Sequence, residues 1–151
     1  MKSIKLYTYP LNIKVVNQQK MILDIIRNKY LILTPEEFVR QNLLLNLINE
    51  KKYPKSLIAV EYPLKHIDKI LRCDIVVFNK NSVPDIIIEC KAPDVNINQK
   101  VIDQAANYNS KLKVNYMAVS NGNKTYCCKL DYIKHKYEYL DDFPTISEIK
   151  I

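Results

Sequence analysis

Glycine is almost missing from the chain: Gly122 is the single one in 151 residues. A phosphate-cradling loop of the Walker type needs two glycines at fixed spacing, so no such motif lies within these residues. Histidine is nearly as scarce, and neither His66 nor His135 has sequence partners that suggest a metal ligand or a triad. The four cysteines, at 73, 90, 127 and 128, form no Cys-x-x-Cys pair, which argues against zinc and for reduced thiols. The vicinal pair Cys127-Cys128 reads as filler for a strand, free cysteine behaving as a small hydrophobe. No run approaches the roughly 18 to 20 consecutive apolar residues of a membrane span. The start, Met1-Lys2-Ser3-Ile4-Lys5, lacks the apolar core of a secretion signal, so a cytoplasmic protein with no membrane contact is expected.

What is present is apolar content and positive charge. With 48% hydrophobic residues the chain is long enough for one well-buried domain and too short for two comfortable ones. The organisation expected is a single domain over 1–151: a lead-in segment at 1–33, a core at 34–130 and a C-terminal extension at 131–151. A formal charge of +7 and a pI near 9.1 suit a polyanionic partner, because neutralising phosphates releases counterions.

The most informative stretch is a pair of apolar runs with charged ends. Ile75-Val76-Val77-Phe78 follows Asp74, and Ile86-Ile87-Ile88 runs into Glu89-Cys90-Lys91. The turn-rich residues 79–84 between them make the whole a hairpin. If the turn closes symmetrically about Asn81-Ser82, Phe78 faces Asp85 and Asp74 faces Glu89. Opposed side chains share a face, roughly 4.5 to 5.5 Å apart at Cβ, and period-two alternation adds Lys91. A one-residue slip would send Asp74 to the other face, so the site depends on register. Asp74 and Glu89 would suffice for Mg²⁺ or Mn²⁺, since magnesium takes hard oxygens and keeps several waters. Lys91 beside them would orient a water and offset charge developing on phosphorus. Against this stands a plainer reading, in which Glu89 and Lys91 simply form a solvated strand face.

The rest of the chain supplies the frame. Residues 1–33 read as irregular or strand-like lead-in packing on the core. Thr34-Pro35-Glu36-Glu37 starts a helix, with Thr34 as N-cap, Pro35 at the first helical position and Glu37 completing a capping box; the helix should run to about Glu50. Strands follow at 55–62, ended by Pro63, then at 70–78 and 85–91. A helix is expected at 100–112, then a strand at 114–120 parallel to its predecessor through a right-handed crossover. Asn121-Gly122 marks a hairpin turn into a strand at 124–130. The tyrosines and bases of the last twenty residues read as an amphipathic edge. The fold class expected is mixed α/β (α+β): helix, three-stranded antiparallel meander, crossover helix, further strands.

Asp74, the Glu89-Cys90-Lys91 triplet, then Gln104 and Tyr108 on a following helix resemble the core of the PD-(D/E)xK nuclease superfamily. More narrowly, the stretch from Thr34 to Gln41, Cys73-Asp74, Glu89 to Pro93, Gln104 to Tyr108 and Ser120-Asn121-Gly122 resemble the N-terminal nuclease domain of type I restriction enzyme R subunits. The resemblance implies a restriction-endonuclease-like core and metal-dependent cleavage of DNA; a nuclease for RNA or structured DNA is a separate third reading, since phosphate contacts position a protein without reading sequence. It implies metal ligation by Asp74, Glu89 and the backbone carbonyl of Cys90. It also implies that Gln104 and Tyr108 fix Lys91 or contact phosphates, and that Glu37 supports the metal from the first helix, a role weighed against its capping. Arg40 and Gln41 would reach the same site or the DNA backbone. The literal Pro84-Asp85 is set aside: four residues along a strand put Asp85 roughly 14 Å from Glu89, so a turn role is expected for it. A complete R subunit pairs its nuclease with a translocating ATPase, so a separate motor or specificity subunit is an expected partner, and a homodimer is possible. The alternative function is a non-catalytic DNA-binding or subunit-docking module that retains the fold.

Overall fold

The computed structural model describes residues 1–149, and of His66 the backbone alone; the last two residues of the expected C-terminal extension lie outside the described residues. Within 1–33 the chain builds a sheet of its own. β1 (Ile13–Val16), β2 (Gln19–Asp24) and β3 (Lys29–Ile32) pair antiparallel in that order. Asn17 and Gln18 join β1 to β2 with positive φ angles of 49° and 66°, the backbone that lets a two-residue hairpin match strand twist. Buried Asp24 closes the next turn, its carboxylate accepting from the Ile26 and Arg27 amides and pairing with the Arg27 guanidinium. Burial alone would raise its proton affinity, but the Arg27 contacts and the two amides prevail and hold the carboxyl below its ordinary value.

α1 (Pro35–Leu45) begins at Thr34, whose Oγ1 accepts from the Glu37 amide at 3.1 Å. The expected run to Glu50 is completed by a π-helical turn, Asn46–Glu50. Asn42 and Asn46 tie the preceding chain to this helix, accepting from the Tyr9 and Tyr7 amides and donating to the Tyr7 carbonyl.

The main sheet has six strands: β4 (Ile58–His66), β5 (Lys69–Phe78), β6 (Pro84–Cys90), β7 (Tyr116–Ser120), β8 (Thr125–Asp131) and β9 (Lys136–Tyr139), in spatial order β4-β5-β6-β7-β8-β9. All neighbours are antiparallel except β6 and β7, which run parallel and are joined through α2 (Gln99–Ser110). That explains the unbroken apolar runs, since parallel strands are covered on both faces. Ile86 and Ile88 pack with Leu43, Leu44 and Leu47 on the α1 side, while Ile87 packs with Ile102 and Met117 on the α2 side. Each such buried isoleucine contributes about 1.5 to 3 kcal/mol. Cys127 and Cys128 divide likewise between the two cores, and all four cysteines are free and buried.

Two local expectations are corrected. β4 does not end at Pro63: it continues to His66, with Pro63 opposite Arg72. β4 lies at the sheet edge, where a missing N–H can face away from the pairing partner. The symmetric hairpin register holds at Ile75↔Ile88, Val76↔Ile87 and Val77↔Ile86, but Phe78 then faces Pro84 through a bulge. Asn79 Oδ1 accepts from the Asn81 and Val83 amides and tightens the turn by a residue. Asp85 is therefore a buried residue of β6 rather than a turn residue, and it accepts from Asn115 Nδ2 at 2.6 Å.

Candidate active site

Asp74 sits where side-chain alternation reverses. Ile75 belongs to the α1-side core and Cys73, two residues earlier, to the α2-side core. On the partner strand Val60 and Tyr62 are split the same way. Between them Glu61 has a positive φ of 50°, and the pair Glu61 and Asp74 drops out of the otherwise continuous β4–β5 pairing. A left-handed backbone costs a non-glycine residue about 1 to 2 kcal/mol. Two contacts fix it here: Arg40 Nη1 donates to Glu61 Oε1 at 2.6 Å, and Arg72 Nη1 donates to the Glu61 carbonyl at 3.2 Å. With alternation suspended, the Asp74 carboxylate turns toward β6, and Oδ2 accepts from the Cys90 amide at 2.8 Å. Burial pushes the Asp74 carboxyl above its ordinary value; the Cys90 amide and Arg40 oppose the shift, and Glu61 and Glu89 add to it.

Glu89 and Lys91 stand two residues apart at the end of β6, with Lys91 Nζ 2.7 Å from Glu89 Oε1. The Lys91 amide donates to the Ser120 carbonyl at 2.8 Å, which carries the parallel pairing one residue past the strand and fixes the lysine's origin. Across from them α2, capped by Asn98 accepting from the Val101 amide, packs closely through Ala105 and Ala106. Its exposed Gln104 and Tyr108 then line the same cleft of about 510 Å³ as Arg72, Asp74, Glu89 and Lys91. Burial pushes the Tyr108 hydroxyl up, with Cys73 and Glu89 adding to the shift. Among the described residues neither Gln104 nor Tyr108 hydrogen-bonds to Lys91, whose partner is Glu89.

Glu37 lies on the other side of Asp74, in a polar pocket with Thr34, Glu36, Arg40, Glu61 and Cys90. Its backbone completes one half of the capping box; its buried carboxylate instead receives Arg40 Nε at 2.9 Å, Arg40 Nη2 and Gln41 Nε2 at 2.9 Å. Glu36 is exposed and Glu37 buried, so the inward-facing acid is Glu37. Burial works against the Arg40 charge, yet Glu37 and Glu61 outweigh it and raise its proton affinity. Arg40 is thus held by two acids. No motif in the sequence points to Glu61 or Arg72. Glu61 looks like any residue of an edge strand, and nothing local announces its left-handed backbone.

The chemistry of the donor set suits a hard cation. Among the described residues no three His, Cys, Asp or Glu side chains form a ready-made metal cluster. Magnesium needs only one or two carboxylates when water and phosphate fill the remaining positions. Asp74 commits one oxygen to the Cys90 amide and leaves the other without a hydrogen bond among the described residues, and Glu89 is about half exposed at 48%.

The structure thus brings together a mixed sheet, an acid turned out of alternation, a Glu-x-Lys at the adjacent strand end and a helix across from them. Residues 35–144 match the family described as type I restriction enzyme R protein N terminus (HSDR_N), and the chain belongs to that family. The fold is also that of a solved fragment of a putative HsdR subunit of a type I restriction enzyme from Vibrio vulnificus YJ016, with a TM-score of 0.51 at 19% identity. That likeness covers 76% of this chain and 24% of the Vibrio chain, so the protein spans about a quarter of its length. No curated protein matches the sequence. No helix among the described residues is long and apolar enough to cross a membrane.

Proposed function

We propose that the protein is a metal-dependent nuclease of the PD-(D/E)xK type, hydrolysing phosphodiester bonds in DNA. The observation that carries this reading is the placing of Asp74, Glu89 and Lys91 on one cleft, with Asp74 turned toward β6 onto the Cys90 amide. Asp74 and Glu89, with the Cys90 carbonyl, would hold Mg²⁺ or Mn²⁺. When bound, the cation supplies a Lewis acid that offsets negative charge on the phosphate and favours the ionised form of a ligated water. Lys91 Nζ lies beside Glu89, from where it would orient the attacking water and counter the developing charge. Gln104 and Tyr108 stand on the opposite wall, where an amide and a hydroxyl would grip a phosphate oxygen or steer Lys91. Glu37 acts at one remove: it holds Arg40, Arg40 holds Glu61, and Glu61 sets the backbone that turns Asp74.

Membership of a family described as a restriction enzyme's N terminus supports reading DNA as the substrate, and the motor and specificity functions of a type I restriction system would come from other parts of that assembly. Plasmid DNA incubated with the protein and Mg²⁺ or Mn²⁺ should be nicked or linearised, and EDTA should stop it. DNA that stays intact with both metals, or cutting that persists in EDTA, would count against the proposal.

A further inference from the structure

The β4–β5 hairpin runs on beyond the sheet. β5 pairs with β6 from Ile75 to Phe78, whereas its pairing with β4 continues from Tyr62↔Cys73 to His66↔Lys69. The extra length is a two-stranded ribbon that begins at the cleft, since Arg72 lines the cavity shared by Asp74, Glu89 and Lys91. Opposed residues share a face, which puts Pro63, Lys65, Ile70 and Arg72 together. All four are exposed, Ile70 at 74%. The other face carries half-buried Leu64 and Leu71. At the tip Ile67 is 82% exposed. Lys69 and Lys111 meet Tyr108 around a shallow cavity at the ribbon's flank.

Isolated exposed isoleucines are ordinary. Two of them on a narrow ribbon among Lys65, Lys69 and Arg72, with Asp68 the one acid from 62 to 73, make a basic arm with an apolar end. We propose that this ribbon is a duplex-DNA-binding arm, seated in the major groove beside the cleft, with Lys65, Lys69 and Arg72 on phosphates and Ile67 and Ile70 against base edges. The B-DNA major groove, about 12 Å wide, admits a two-stranded ribbon, and thymine methyls offer apolar contact there. The A-form major groove of RNA is too deep and narrow for it. The inference rests on the nuclease reading only in taking the cleft as the place where the strand is cut.

Fluorescence anisotropy of the full chain with a short labelled duplex, in EDTA and across a salt series, tests the arm without any cleavage. Lys65→Ala/Lys69→Ala should weaken binding and lower the slope of log K against log salt by about two. Ile67→Ser/Ile70→Ser should weaken duplex binding with the slope unchanged. These positions are exposed, and unchanged circular dichroism shows that the fold is kept. Duplex RNA of the same sequence should bind more weakly than DNA. The arm is overturned if the lysine variant keeps wild-type affinity and slope, if the wild type binds no duplex DNA, or if duplex RNA binds as tightly. Cutting by a Glu89→Ala variant would sink the nuclease reading and leave the arm standing; wild-type binding by the arm variants beside an inert Glu89→Ala would sink the arm alone.

Discussion

Arg40 of α1 and Glu61 of β4 meet across the back of the site, Nη1 to Oε1 at 2.6 Å, and this contact restrains the left-handed residue that lets Asp74 leave its strand's alternation. Arg40 is also the main partner of the buried Glu37 carboxylate. Removing it by Arg40→Ala should therefore destabilise the fold by about 3 kcal/mol, the lower end for a broken buried pair because Glu61 is partly exposed. Arg40→Lys should recover little, since an ammonium cannot fork between two acids. Urea unfolding measures both, and a loss under about 1 kcal/mol for Arg40→Ala would deny the network its part in holding the site.

Gly122 is required by its turn. Its φ is +87°, and a Cβ there would approach Val39 Cγ2 to 3.2 Å, so the β7–β8 turn and α1 are pressed together at this point. Gly122→Ala should cost about 1 to 2 kcal/mol through backbone strain, with a further small loss where Val39 must give way. Calorimetry should show a Tm lower by about 2 to 8 °C. An unchanged Tm would mean that the turn relaxes freely.

Asp24 gives a pH dependence away from the site. Its folded-state carboxyl lies below the ordinary value, so its stabilisation is fully present above the unfolded pKa of about 3.9 and is lost as pH falls through the folded value. Asp24→Asn should cost about 1.5 to 3 kcal/mol at pH 7, the range for hydrogen bonds to a charged group. The gap to wild type should narrow as pH falls below about 4. Urea midpoints at a series of pH values check this, and a gap that stays constant down to pH 2 would contradict it.

Several features were legible because a local rule determined them. Closing the 79–84 turn about Asn81-Ser82 gave Ile75↔Ile88, since two buried apolar runs leave little freedom of register. Thr34-Pro35 announced α1, and Asn121-Gly122 announced the β7–β8 turn. The features that were not legible depend on distant contacts. Pro63 looked like a strand end because sequence does not say that β4 is an edge. Helical spacing put Arg40 and Gln41 on Glu37's side of α1, but that Arg40 also reaches Glu61, 21 residues on, and so ties Glu37 to β4 is a contact only the packed fold creates. Asn17, Gln18 and Glu61 take positive φ without glycine, so neither the β1–β2 turn nor the twist at Asp74 left a composition signal. That Asp74, Glu89 and Lys91 lie on one cleft could be expected from spacing; the means of aiming Asp74 could not.

The most direct test of the central claim is the rate of plasmid cleavage in Mg²⁺ by the wild type, Glu89→Ala and Lys91→Ala, each first shown to unfold at a similar temperature. Both side chains are partly exposed, so the fold should survive their loss. The wild type should cleave, and each variant should fall by about 100-fold or more. Cleavage at the wild-type rate in either variant would contradict it.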